Sequence, residues 1–117
     1  MGAQKGQKGS VSMLRIYGVS LQMVRELRSV IVAVERRDQD LARQMRRAAT
    51  SVVLNIAEGA RVGKGSERLR WRTALGSAAE VSAAVDVAVA LGYVANVDPS
   101  LNGRLDHVIG TLRVLTR

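Results

Sequence analysis

Two polar side chains that could take part in chemistry, the amide of Asn55 and the carboxylate of Glu58, lie in an apolar stretch over residues 46–59. If this stretch is one helix, Asn55 shares a stripe with small apolar residues, and Glu58 lies on the next stripe. A carboxylate there could act as a general base, but hydrolysis or phosphoryl transfer also requires a nucleophile or further metal ligands. The chain has no cysteine and one histidine, which excludes a thiolate nucleophile and a multi-histidine metal centre.

The carboxylate of Glu80 offers a second metal ligand, and it would form a two-carboxylate magnesium site with Glu58 if their helices faced one another. The Glu-x-x-His motif of di-metal bundles is missing from the sequence, however. We favour a structural interpretation, in which both carboxylates form ion pairs with arginines of neighbouring helices. The candidate partners are Arg46, Arg47 and Arg72. Asn55 is expected to bond to a backbone group or a neighbouring side chain. The sequence therefore predicts no catalytic residue, no metal, no cofactor and no enzymatic activity.

Four segments repeat apolar residues at steps of three and four, which is typical of amphipathic helices. They cover residues 13–37, 41–60, 66–91 and 99–115. The candidate capping residues are Asp38 or Asp40 before the second segment, Ser66 before the third, and Asp98 followed by Pro99 before the fourth. Gly59, with the glycines of the loop that follows, is expected to end the second helix.

Each segment has an apolar stripe that is expected to face the core. In the first helix the stripe is Met13, Tyr17, Leu21, Val24, Leu27, Ile31 and Val34. In the third it is Leu69, Trp71, Leu75, Ala78, Ser82, Val85 and Val89. Trp71 is expected to anchor packing or a subunit interface. The many small residues of the third helix predict that another helix approaches it closely.

Short connections between the segments predict an all-α protein, an antiparallel up-down-up-down four-helix bundle. The bundle domain covers residues 13–117, and residues 1–12 are expected to form a flexible, basic N-terminal arm. The arm has no apolar run that could act as a signal peptide or a membrane span. A cytoplasmic protein without a membrane partner is therefore expected.

The net charge of +8 favours an anionic partner, and nucleic acid is the commonest one for a basic domain. One tryptophan, two tyrosines and no phenylalanine supply few platforms for base stacking, so contacts would go mainly to phosphate. The candidate nucleic-acid-binding residues are Arg46, Arg47, Arg61, Lys64, Arg68 and Arg72. Arg46 and Arg47 either neutralise carboxylates or face phosphate, and the sequence leaves this open. A basic surface that is only solvated is the alternative for the whole set.

Several strings of the sequence match a known bacterial family. They are Gln44–Ser51, Asn55–Arg61, Leu75–Glu80 and Leu91–Tyr93. On these strings the chain resembles the four-helix-bundle proteins encoded in intervening sequences of 23S ribosomal RNA genes, a family similar to the accessory variability determinant proteins of diversity-generating retroelements. The matching positions Asn55, Glu58, Gly59 and Glu80 are its structural signature. The resemblance implies a bundle that assembles into a barrel-shaped homopentamer with a basic surface able to bind nucleic acid.

Charge and resemblance together predict a non-enzymatic, nucleic-acid-binding accessory protein, which assists a reverse transcriptase of a diversity-generating retroelement. The alternative is a structural or protein-interaction bundle of the intervening-sequence family with no direct role on nucleic acid. A metal-dependent nuclease is a third hypothesis, which magnesium-dependent cleavage would test. The sequence leaves open the choice of RNA or DNA, the protein partner and the branch of the family, and it gives the subunit number only through the family analogy.

Overall fold

A computed structural model of the chain describes residues 2–61 and 65–117, with side chains from Arg15 onward within these ranges. Its regular structure is four α-helices: α1 (Gly2–Glu35), α2 (Gln39–Arg61), α3 (Glu67–Ala90) and α4 (Pro99–Leu115). The predicted all-α class with four helices is confirmed. α1 begins within residues 1–12, the segment for which the sequence predicts a flexible arm, and that arm stays a prediction. Lys64, one of the candidate phosphate contacts, lies outside the described residues.

The helices contact one another in a closed ring, in which α2 lies between α1 and α3, and α4 contacts both α1 and α3. Two sets of hydrogen bonds fix which ends lie together. Tyr93, which follows α3, donates its hydroxyl to Oδ2 of Asp38, which precedes α2, at 3.2 Å. Arg68, near the start of α3, donates to the carbonyl oxygen of Thr116 after α4. The α1–α2 turn therefore lies beside the end of α3, and the start of α3 lies beside the end of α4.

Two of the predicted helix caps are confirmed. Asp38 caps α2, because its Oδ1 accepts the backbone N–H of Leu41 at 2.9 Å. Asp98 caps α4 in the same way and accepts the N–H of Ser100 at 2.9 Å, with proline in the first turn. Of the two candidates before α2, the structure selects Asp38.

Two other predictions about helix ends hold only in part. Ser66 precedes α3 but has helical backbone angles (φ −97°, ψ −23°), and its side chain makes no capping hydrogen bond. A capping side chain usually requires an extended backbone at that position. Gly59 lies inside α2, which continues to Arg61, and among the described residues of the following loop Gly65 has a positive φ (+103°). Only glycine adopts such an angle without strain.

The buried stripes of α1 and α3 differ from the predicted ones. Met13 of the predicted stripe lies outside the described side chains. From Arg15 onward, the buried residues of α1 are Ile16, Ser20, Met23, Leu27, Val30, Ile31 and Val34. In α3 they are Trp71, Ala74, Ala78, Val81, Ala84, Val85 and Ala88. Tyr17, Leu69 and Val89, which were expected in the core, are exposed. Both helices carry apolar residues on adjacent stripes. Steps of three and four residues fit either stripe, so only packing against the neighbouring helices decides which stripe is buried.

α3 is long and apolar enough to cross a membrane, judged by length and composition alone. A core helix meets the same criterion, and α3 places seven residues in the core of this bundle. The expectation of no membrane partner therefore stays a prediction.

A polar cluster joins α1 to the start of α4. The carboxylate of Glu26 accepts hydrogen bonds from the Ser100 hydroxyl and from Nε of Arg104. These two bonds, that of Ser100 first, hold the pKa of Glu26 below its ordinary value of 4.5. The pKa of Glu26 is lower in the folded state than in the unfolded chain. The ionised carboxylate therefore stabilises the fold at pH values above its ordinary pKa. The stabilisation is lost as the pH falls through the folded pKa.

We therefore predict that Glu26→Gln flattens the acid limb of the stability curve. Wild-type protein should lose more of its free energy of unfolding than the variant between about pH 6 and pH 3, measured by urea titration at each pH. Glu58→Gln is the matched control, since Glu58 forms no ion pair with any described residue. Equal losses in wild type and Glu26→Gln would contradict the assignment.

Candidate nucleic-acid interface

Asn55 holds α2 against α3 through a chain of hydrogen bonds. Its Nδ2 donates to the backbone oxygen of Ser51 at 2.9 Å and to Oγ of Ser51 at 3.1 Å. The Ser51 and Ser77 hydroxyl oxygens are 2.7 Å apart and bond across the two helices. The predicted bond from Asn55 to a backbone group is confirmed. The two serines were not predicted, although Ser51 stands one helical turn before Asn55 and would have been the signal.

Gly59 gives the ring of Trp71 its place between α2 and α3. A Cβ added at Gly59 would lie 2.2 Å from Nε1 and 2.5 Å from Cδ1 of the Trp71 ring, far inside van der Waals contact. Trp71 is buried, and its indole N–H has no hydrogen-bond acceptor within the described part of the chain. The glycine of the signature is thus needed for close approach, and Trp71 is a packing anchor as predicted.

Glu58 and Glu80 do not form the predicted ion pairs with Arg46, Arg47 or Arg72 in the described structure. Both glutamates are exposed, so water solvates their charges and no partner is required. They also do not converge. Gly59 contacts Trp71, so Glu58 lies near the level of Trp71 along the bundle. Glu80 follows Trp71 by nine residues on α3 and therefore lies about 13 Å further along that helix. Residues 15–61 and 65–117 hold no group of three or more potential metal ligands; the absence of a metal and of enzymatic activity stays a prediction.

Arg46 and Arg47 have different surroundings. Arg46 donates from Nη2 to Oε2 of Glu35 and so joins α2 to α1. Both side chains are about half exposed (51% and 46%), so this pair contributes at most about 1 kcal/mol. Arg47 is exposed and has no ion pair with a described residue. With Arg43 it flanks the exposed side chain of Leu54 in a shallow surface depression on α2. Arg46 thus neutralises a carboxylate, while Arg47 is available for a partner.

Arg68 binds the protein's own backbone. Its Nε and Nη2 donate to the carbonyl oxygen of Thr116 at 3.2 and 2.8 Å. This oxygen lies at the C-terminal end of α4, where backbone carbonyls lack helical partners and the helix dipole favours a cation. The guanidinium fork that the sequence assigns to phosphate therefore fastens α4 to α3.

Five further exposed arginines lie toward one end of the bundle. We define the basic end by five exposed arginines: Arg61, Arg70, Arg72, Arg113 and Arg117. Contact of Gly59 with Trp71, and of Arg68 with Thr116, brings the end of α2, the start of α3 and the end of α4 together here. The carboxylates on the same segments are Glu58 and Glu67. Arg70 and Arg72 stand two positions apart on α3 and so point to different sides of it. The excess of guanidinium groups at this end is suited to bind phosphate.

The structure thus brings together Arg61 and Arg72 of the predicted set and separates Arg46 and Arg47 from them. Sequence reasoning missed Arg113 and Arg117, because they are distant in sequence from the other arginines. Their only signal was a position in the last turn of the fourth helix and just beyond it, which is also the usual place for residues that complement the helix dipole.

Comparison with known proteins places these features in a family. The chain matches the model of the 23S rRNA-intervening sequence protein over residues 12–113, a range that includes the Asn55 network, Gly59 and most of the basic end. No curated protein and no solved structure matches the chain. The family match spans most of the sequence, and the chain therefore belongs to the 23S rRNA-intervening sequence protein family.

Proposed function

We propose that this protein is a non-enzymatic, homo-oligomeric accessory protein that binds the phosphate backbone of RNA or DNA through its basic end. The observation that carries the proposal is that five exposed arginines, in α2, in α3, in α4 and just after α4, lie at the same end of the bundle. The net charge of +8 agrees with an anionic partner. Few aromatic residues are available for stacking, so binding would depend little on base sequence.

The proposal includes the assembly that the family resemblance implies, an up-down-up-down bundle repeated in a barrel-shaped homopentamer. A ring repeats the basic end in every subunit, and weak phosphate contacts then add through multivalency. The second proposed partner is a reverse transcriptase of a diversity-generating retroelement, in the cytoplasm. A reverse transcriptase gene and variable repeats beside this gene would support that role, whereas a position inside a ribosomal RNA gene would favour the intervening-sequence role.

Binding to nucleic acid is expected to weaken steeply with salt. Each phosphate contact adds about 0.9 to the slope of log K against log salt on duplex DNA, and about 0.7 on single strands. Arg61→Ala/Arg72→Ala should therefore reduce the slope by about one contact's value for each arginine that binds. The measurement is fluorescence anisotropy with labelled RNA, single-stranded DNA and duplex DNA at several salt concentrations.

The matched control is Arg28→Ala/Arg36→Ala, which removes two exposed arginines away from the basic end. It lowers the net charge as much as Arg61→Ala/Arg72→Ala does, but it should leave most of the slope of log K against log salt unchanged. No binding at low salt, or binding that ignores salt, would contradict the proposal and favour the structural or protein-interaction bundle. The same samples of protein and nucleic acid, incubated with magnesium, test the nuclease hypothesis. That hypothesis requires cleavage of the nucleic acid.

A further inference from the structure

Charge is unevenly divided between the helices. From Thr73 to Leu112 the sequence has no lysine and one arginine, Arg104, whose guanidinium donates to Glu26. The carboxylates of the same stretch are Glu80, Asp86, Asp98 and Asp106. None of them forms an ion pair within residues 15–61 and 65–117. The surface of α3 and α4 beyond the basic end is therefore acidic.

This acidic surface contains an apolar hollow. It lies between the end of α3, the following loop and the start of α4, and has a volume of about 390 Å³. Its apolar lining includes Val89, Ala90, Ala95 and Val97, and its polar lining residues are Asp86, Asn96 and Asn102. Val89 is 39% exposed, although the loop and α4 surround it. We call this site the α3–α4 hollow; it is large enough for an aliphatic side chain.

The outer face of α2 has the complementary character. Arg43, Arg47, Thr50 and Leu54 follow one another at steps of three and four and share a stripe. Leu54 is 58% exposed, and the two arginines lie two and three turns before it on the same side. We call this stripe the α2 face. It presents an apolar side chain together with positive charge, whereas the hollow is a surface depression lined mostly by apolar residues and containing one carboxylate, that of Asp86.

We propose that Leu54 of one copy of this chain docks in the α3–α4 hollow of a second copy, with Arg43 and Arg47 facing the Asp86 carboxylate in its lining. The inference rests on the homo-oligomer of the proposed function and names the surfaces that join. A second copy is the occupant because the chain itself carries both halves of the match: an exposed leucine flanked by arginines, and a mostly apolar hollow with a carboxylate. Since the two surfaces differ, the contact is head-to-tail, and repeating it closes a ring or extends a filament. The basic end stays free for nucleic acid.

The experiment uses two variants that each block one half of the contact, Leu54→Asp on the α2 face and Val89→Arg in the hollow. Each variant alone is expected to be a monomer of 12.6 kDa, whereas wild type is larger. An equimolar mixture is expected to form a heterodimer of twice that mass, because the intact α2 face of Val89→Arg fits the intact hollow of Leu54→Asp. The heterodimer stops there, since its two outer surfaces are both blocked. Light scattering coupled to gel filtration measures the mass.

Val114→Asp is the control, because Val114 is an exposed apolar residue of α4 away from both surfaces; it should retain the wild-type mass. If a blocking variant loses the helical circular-dichroism signal, Leu54→Ser or Val89→Gln replaces it. The inference would be overturned if wild type is an oligomer and either both variants keep its mass or the mixed variants stay monomeric. The proposed homo-oligomer would not be contradicted by either result. A monomeric wild type would overturn both.

Discussion

Gly59→Ala should destabilise the bundle even though alanine is the better helix former. The added Cβ would overlap the buried Trp71 ring, with 2.2 Å to Nε1. Overpacking of this kind costs about 1–3 kcal/mol, and the gain in helix propensity offsets about 1 kcal/mol of it. After this gain is subtracted, we expect the free energy of unfolding to fall by about 1–2 kcal/mol and the melting temperature to fall by about 4–10 °C. Thermal unfolding at fixed protein concentration measures it, because the proposed assembly would make the melting temperature depend on concentration.

Gly110→Ala is the matched control for this prediction. Gly110 lies in α4, and a Cβ there would meet no atom within 4 Å. The same substitution should therefore stabilise the protein by about 0.5–1 kcal/mol. A Gly59→Ala protein that melts at or above the wild-type temperature would show that the ring is not held against this glycine. In a Trp71→Leu background the effect of Gly59→Ala should shrink, since the clashing ring is gone.

Asp38→Ala carries the second large effect, because one carboxylate makes two separate contacts. Oδ1 caps α2 at Leu41, and Oδ2 accepts the hydroxyl of Tyr93 from the α3–α4 loop. Loss of the cap alone costs about 0.5–2 kcal/mol, and loss of the link to Tyr93 adds to it. The Tyr93 hydroxyl is a donor at neutral pH, and burial first, and then the bond to Asp38, raise its pKa further above the ordinary value of 10.0. Urea titration should show a lower midpoint with an unchanged slope.

Asp40→Ala serves as the control, since Asp40 is exposed and bonds only within the first turns of α2, to Gln44 and weakly to Arg43. It should change stability by less than about 0.5 kcal/mol. Tyr93→Phe removes only the bond between the turns, so its effect should be smaller than that of Asp38→Ala. If Asp38→Ala and Asp40→Ala were equally mild, the cap would not lie at Asp38.

The candidate arginines separate by what they contact, and this separation guides the functional tests. Arg46 is bonded to Glu35, and Arg68 is bonded to the end of α4. Their substitution should affect stability along with any binding, which makes them poor probes of a nucleic-acid interface. Arg61 and Arg72 are exposed at the basic end and are therefore the informative positions.

Local features of the sequence were sufficient to predict the helices and most of their boundaries. Asp98 followed by Pro99 marks the start of α4, because a carboxylate cap and a proline in the first turn act within a few residues. The stripe of Leu101, Leu105, Val108 and Leu112 was likewise predictable, since α4 has a single continuous apolar row. Family membership also followed from local strings around Asn55 and Glu80, and the match over residues 12–113 confirms it.

Only the tertiary structure decided which of several suitable neighbours each side chain meets. Periodicity cannot choose between adjacent apolar stripes on α1 and α3, and it placed Leu69 in the core although Leu69 is exposed. Gly59 looks like a helix end in the sequence, but the Trp71 ring from another helix gives it its role. Ion pairs depend on side chains that are distant in sequence, so Arg46 meets Glu35 and the glutamates of the signature remain solvated. Sequence by itself determines the helices and the excess of positive charge; helix packing determines where that charge collects and which arginines stay available to a partner.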